Sequence, residues 1–255
     1  MVTTIARQSQ FHATLAPSMP PNPIVVFDTS KGTFKAELFL DKTPVTASNI
    51  VDLARNGFYD GLHFHRVIEG FMLVRASRRP ASIDVETRED AFVAKRTRGV
   101  HRSRAMKTTD EIHSIFTESQ QFGCPHSRDP RSEYAGTGGP APSSTFTNLV
   151  TGEVVTRDAR EGCVPDEFVD KTTNDVGALS MANTGQPHSG GSQFFINTAH
   201  NDFLDHWRSD LSPSQHPVFG RVVEGMDVVE SIERAPVDAG DAPRTPVTMI
   251  RVTIE

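Results

Sequence analysis

Cysteine is nearly absent. Cys124 and Cys163 are the only two in 255 residues, too few for the disulfide framework of a small secreted domain. They read as reduced thiols of an intracellular protein, with a single bridge between them as the alternative. Long apolar runs are missing too: no stretch approaches a membrane span, and Met1 to Pro20 lacks the hydrophobic centre of a secretory signal. The expectation is an intracellular, cytoplasmic protein that does not insert into a membrane. Arg7 and the Ser, Thr and Ala around it leave organelle targeting open beside a plain flexible arm. Positive charge is not in excess, with 26 Lys+Arg against 32 Asp+Glu and a net charge of -6, which speaks against a nucleic-acid binder. Gly136, Gly138 and Gly139 lack the Lys-Ser/Thr that a phosphate loop requires. Cys124-Pro125-His126, His65 and His216 do not complete a ligand set, so neither metal nor cofactor is expected.

The length is enough for one sizeable buried core and does not force a second domain. Residues 1–22 read as a flexible N-terminal extension, and the fold begins near Pro23. Ile24 to Phe27 reads as a strand, Asp28 to Gly32 as a turn and Thr33 to Leu40 as the return strand, with alternating apolar positions. Thr43-Pro44 places a capping hydroxyl before a proline at the first helical position. Val45, Ile50, Leu53 and Ala54 then supply an apolar helix face that ends near Gly57. His63 to Ile68, Phe71 to Leu73, Ala178 to Ala182, Gln193 to Thr198, Val218 to Val222 and Val247 to Ile254 bring the strands to about eight. Val228, Val229 and Ile232 suit a second helix. Many short strands with two helices favour an all-β, closed antiparallel barrel over alternating βαβ units.

Val74 to Gln120 breaks this rhythm. Its 47 residues hold ten Lys+Arg and seven Asp+Glu, with Phe92 and Phe116 as the only aromatics and Gly99 as the only glycine. Such a stretch has little apolar surface to offset the entropy of ordering itself, and it reads as a disordered insertion. A genuine insertion and a translated intron both fit. Its length preserves frame whatever its origin, and valine and glutamine codons at its two ends permit the common intron boundaries.

Four groups of residues carry the chemistry. Phe64-His65-Arg66-Val67-Ile68-Glu69-Gly70-Phe71-Met72 sets an arginine on a strand before an aromatic and a thioether. Gly136-Thr137-Gly138-Gly139 forms a second group. Leu179-Ser180-Met181-Ala182-Asn183 with Gly191-Ser192-Gln193-Phe194-Phe195-Ile196 forms a third. Phe203-Leu204-Asp205, His216 and the run from Val218 to Met226 form the fourth. Together, and in this order, they resemble the cyclophilin family of peptidyl-prolyl cis-trans isomerases, over Pro23 to Glu255 apart from Val74 to Gln120.

That resemblance implies an eight-stranded antiparallel barrel with two capping helices, an interior that is structural core, and an active groove on the outer face. The expected activity is rotation about Xaa-Pro peptide bonds in peptides and folding proteins, by a monomer. Arg66 matches the family's catalytic arginine. Phe71, Met72 and Phe195 match the apolar wall that receives the proline ring, joined by Leu204 and His216. Gln193 matches a groove glutamine, Ala182 and Asn183 the edge that binds substrate backbone, and Gly136 a backbone position in the loop across the groove. The family's other groove glutamine follows directly on the Met72-Leu73 position; here Val74 stands there, and Gln121 resumes the pattern beyond the excursion and takes that role.

Three departures bear on specificity. Phe203 stands where many members have tryptophan, which keeps an aromatic wall but loses an indole donor, so cyclosporin binding is expected to be weakened. His206 to Gln215 and Asn148 to Cys163 extend loops near the groove; Trp207 and Arg208 are either plain surface or modulators of partner access. The interruption and altered loops also admit a catalytically weak module that only binds proline-containing segments.

Overall fold

The structure is a computed structural model and describes residues 19–68, 121–208 and 215–255. Calls on the first 18 residues, on Glu69 to Gln120 and on Ser209 to Ser214 lie outside it. Strands β1 (Ile24–Thr29) and β2 (Gly32–Leu38) form the expected hairpin, and helix α1 (Pro44–Arg55) follows. Next come β3 (Gln121–Phe122), β4 (Thr145–Thr147), β5 (Val154–Thr156), β6 (Ala178–Met181) and β7 (Phe194–Ile196), then β8 (Val218–Glu224), α2 (Met226–Glu233) and β9 (Met249–Ile254).

Seven strands make one antiparallel sheet in the order β3-β7-β6-β8-β2-β1-β9, and β4 and β5 pair separately. The large sheet is a curled half-barrel. Residues 63–66 touch both of its ends, through isolated bridges from His63 to Thr248, beside β9, and from Arg66 to Gln121 on β3. This corrects the expected strand at His63 to Ile68. Each end of the segment pairs with a different neighbour, so each contact stays a single bridge and no ladder of successive pairs builds up.

Period-two burial on β1 and β2 turns Val25, Phe27, Phe34, Ala36 and Leu38 inward. Phe27 and Phe34 stack at 4.7 Å, and Phe194, Phe122, Tyr59, Phe64 and Phe219 extend the aromatic core. Both helices close on it, α1 with Ala47, Ile50, Val51, Leu53 and Ala54 and α2 with Val229 and Ile232. The interior is filled with side chains, as expected of structural core.

The start of α1 departs from the sequence reading. Thr43 does not cap it; its hydroxyl donates to Phe39 O at 3.0 Å. Glu167 caps the helix from 122 residues away, its two carboxylate oxygens accepting from Val45 N–H at 2.9 Å and Thr46 N–H at 2.7 Å. A carboxylate there satisfies two orphan donors and complements the positive end of the helix dipole. It also fastens the loop before β6 to the core. The β4–β5 hairpin, read in sequence only as a loop extension, is pinned to α1 by Arg157. That buried guanidinium bonds Asn49 Oδ1, Ser144 Oγ and Asp52 Oδ2 at 2.8, 2.9 and 2.7 Å and lies over the Phe146 ring.

Candidate active site

Strand register assembles the site. Arg66 bridges Gln121, Gln121 pairs with Phe195, and Phe195 pairs with Ser180. Directly opposed residues on neighbouring strands share a face, with Cβ atoms about 5 Å apart. Arg66, Gln121 and Phe195 therefore stand in one row across three chain segments, on the face opposite the core residue Phe194. Gln121 N–H donates to Arg66 O at 2.9 Å. Gln121 thus lies beside Arg66, although 54 residues separate them in the chain.

On the same face, Phe195, Ala182 and Leu204 form a small apolar cluster of their own, with Phe203 packed against it. His216 meets the Phe195 ring edge-on at 5.1 Å. Phe195 and Leu204 are each 1% exposed and His216 2%, so these walls are packed on one another. Buried amides hold the cluster in place. Asn174 donates through its backbone and its side chain to Asp205 Oδ1, at 2.8 and 2.9 Å, and Ser180 Oγ donates to Asn174 Oδ1. This ties the turn carrying Phe203 and Leu204 to the loop before β6. Sequence reasoning named Asp205 only as part of the Phe203-Leu204-Asp205 run and missed Asn174, since a buried Asn–Asp pair leaves no periodic signature.

Beside the row lies a cavity of about 650 Å³ lined by Gln121, Gly136, Ala182, Asn183 and Gln193 among others. Five expected site residues thus share one wall system. Gln193 Nε2 donates to Gly136 O and Gly138 O at 2.9 and 2.8 Å, holding the glycine loop over the groove. Gly123 must be glycine: its φ is +98°, and a Cβ there would meet Ser192 O at 2.2 Å. The Asn183 side chain, expected to hold substrate backbone, is engaged within the chain, donating to Gln215 O at 2.7 Å and accepting from Gly185 N–H. Phe71 and Met72 lie outside the described residues. Arg208 pairs with Asp202, and Trp207 meets the His206 ring, which in turn stacks on Phe168.

Protonation in the groove is fixed by burial. It pushes His216 down to about 4, only partly opposed by the hydrogen bond of Nδ1–H to Met181 O at 2.8 Å. His65 also falls to about 4 through desolvation, against its hydrogen bond to Gln121 Oε1 and with the Arg66 charge adding to the fall. Its role was missed in sequence: it donates through Nε2 and so orients Gln121. Both imidazoles are neutral at pH 7. Burial, reinforced by Asp158, raises the Cys163 thiol to about 12, so this sulfur, the only one lining the cavity among the described residues, stays protonated. Cys124 and Cys163 are both buried, free thiols. Among the described residues the arrangement offers hydrogen-bond donors and apolar walls.

The chain is similar to known proteins over most of its length. The profile of the family described as cyclophilin type peptidyl-prolyl cis-trans isomerase/CLD matches residues 24–254. Peptidyl-prolyl cis-trans isomerase B of Escherichia coli is 26% identical over 91% of this chain and 99% of its own length. The peptidyl-prolyl cis-trans isomerase of Acinetobacter baylyi is 26% identical over 92% of this chain and 86% of its own. Peptidyl-prolyl cis-trans isomerase cyp15 of Rhizopus delemar is 31% identical over 90% of this chain, which spans only 24% of that relative's length. Among solved structures, a cyclophilin type peptidyl-prolyl cis-trans isomerase of Cryptosporidium parvum superposes with a TM-score of 0.57 at 20% identity, covering 92% of this chain and 98% of that one. A second structure of that protein, in the presence of the dipeptide Ala-Pro, gives 0.56 at 21% identity, covering 91% and 98%.

Proposed function

The chain belongs to the cyclophilin type peptidyl-prolyl cis-trans isomerase family, and from that premise we propose that it catalyses rotation about Xaa-Pro bonds through the row Arg66–Gln121–Phe195. That row is the observation that carries the assignment, because it sets a cation, an amide and an aromatic wall side by side across three chain segments. The Xaa-Pro amide has partial double-bond character, and its uncatalysed rotation crosses a barrier of roughly 20 kcal/mol. Rotation is faster when resonance is weakened. Arg66 donates toward the proline carbonyl or the proline nitrogen and favours the pyramidal nitrogen whose lone pair has left conjugation. Phe195, Leu204 and His216, with Phe71 and Met72, grip the ring; Gln121, Gln193, Gly136 and the Ala182–Asn183 edge hold the flanking peptide. Such contacts accelerate rotation only as far as they favour the twisted state over both planar ones. Neither imidazole needs to change charge for this chemistry.

The finer architecture follows the same reading. The curled sheet is read as the cyclophilin-like barrel, with the single bridges of residues 63–66, to Gln121 on β3 and to Thr248 beside β9, supporting its closure. The domain runs from 23 to 255 behind an N-terminal extension, and Val74 to Gln120 is an insertion outside the working enzyme. The protein acts as a cytoplasmic monomer on proline-containing segments of folding chains, without nucleic acid. Cyclosporin binds weakly, because Phe203 keeps the wall but has no indole donor; Phe203→Trp is expected to tighten binding about five-fold, the worth of one hydrogen bond. Equal or tighter binding by the parent in a calorimetric titration defeats this account. The closely packed walls at Phe195 and His216 favour one second reading, a binding module with weak catalysis. Exchange NMR on an Ala-Pro peptide separates the two: faster cis/trans interconversion supports the enzyme, and binding without acceleration supports the module.

A further inference from the structure

We propose that Asp241 is a positioning residue for Arg66, holding the Nε edge of its guanidinium so that the side chain keeps its place beside Gln121. The proposal rests on the isomerase reading of Arg66. Asp241 arrives from the turn between α2 and β9, 175 residues on, and makes two contacts with the Arg66 segment. Arg66 Nε donates to Asp241 Oδ2 at 3.4 Å, and Val67 N–H donates to Asp241 O at 2.8 Å. With Gln121 N–H on Arg66 O at the other edge, this stretch of backbone is held from both sides.

The turn is built to deliver that carboxylate. Asp238 Oδ1 accepts from Gly240 N–H at 2.8 Å and Ala242 N–H at 3.1 Å, Asp238 N–H donates to Ala242 O, and Val237 bridges Pro243. Asp241 itself sits at φ +64°, one of three non-glycine residues with positive φ among those described. Aspartate is one of the few side-chain-bearing residues that tolerate this conformation, so the turn can present a carboxylate there. The pair is half-exposed, with side-chain exposures of 23% for Arg66 and 39% for Asp241, where an ion pair adds little to stability. What it can supply is order. An arginine left to sample its rotamers loses the productive orientation, which is worth about ten-fold in rate.

The test uses the full-length chain with Asp241→Gly and Asp241→Asn. Glycine suits the positive φ, so the fold is kept while the acceptor is lost. Asparagine also tolerates that φ and retains an oxygen for Arg66 Nε–H without the charge. The expected result is that Asp241→Gly lowers kcat about ten-fold with KM within about two-fold, while Asp241→Asn stays within about two-fold of the parent. The Arg66 Nε–Hε resonance should shift in the glycine variant and hold its position in the asparagine variant. Parent-like kcat in Asp241→Gly, equal losses in both variants, or one unchanged Nε–Hε resonance in all three overturns the proposal. If the parent itself fails to speed isomerisation, the isomerase reading falls, and the resonance still decides whether Asp241 orders Arg66.

Discussion

Joining Leu73 directly to Gln121 removes the 47 residues from Val74 to Gln120 and should stabilise the protein. The structure fixes the closure point at Gln121 N–H on Arg66 O, 2.9 Å apart. In the full chain 54 residues lie between those two partners, and after excision seven remain. Closure entropy scales as (3/2)RT ln n, so shortening the connection by this ratio lowers the cost of the bridge by about 2 kcal/mol. With a urea m-value of about 2 kcal/mol/M, that is a rise of roughly 1 M in the unfolding midpoint. Fluorescence of Trp207, the single tryptophan, reports the transition. Excision should also keep or raise isomerase activity, because it restores the contiguous order Phe71-Met72-Leu73-Gln121. An unchanged or lower midpoint, or loss of activity, refutes the reasoning and makes the segment part of the working enzyme.

Two further perturbations probe the scaffold and its charges. Arg157→Leu strips the donor from buried Asn49 Oδ1 while Asp52, with a 27% exposed side chain, can rehydrate; the loss should be about 3 kcal/mol, near the low end for a broken buried pair, and should lower Tm by roughly 10 °C. A drop of only a degree or two in calorimetry contradicts the pinning role. For pH, His216 and His65 have folded pKa values near 4, below the free value of 6.5, so the unfolded chain binds more protons between those limits. Stability is then fully present above about 6.5 and is lost as pH falls toward 4, by on the order of 3 kcal/mol per histidine. Urea midpoints across this range should fall less steeply in His216→Gln, and an identical slope in the two proteins refutes the assignment.

The sheet was legible wherever one face is buried. Alternation in Ile24 to Phe27 and Thr33 to Leu40 marks residues with one inward and one outward side, and β1 and β2 formed there with that alternation, β2 ending at Leu38. The row of Arg66, Gln121 and Phe195 was legible through motif order, even across the interruption. His63 to Ile68 was over-read as a strand because its apolar pattern reports burial, and burial is satisfied by two isolated bridges as well as by a ladder. The Thr43 cap failed for a different reason: local sequence offers a hydroxyl, but a carboxylate 122 residues away gives two charge-assisted bonds and wins the site. Asp241 and Asn174 left no local trace either. Their partners lie 175 and 31 residues away, at Arg66 and Asp205, and only the fold brings them together.

The most direct measurement is exchange NMR of an Ala-Pro peptide with the parent and with Arg66→Ala, each shown to be folded by its amide spectrum. On the proposal that Arg66 supplies the donor that stabilises the twisted amide, the parent should speed interconversion and the folded variant should lose about 10²-fold of that acceleration. Parent-like catalysis by folded Arg66→Ala contradicts the account.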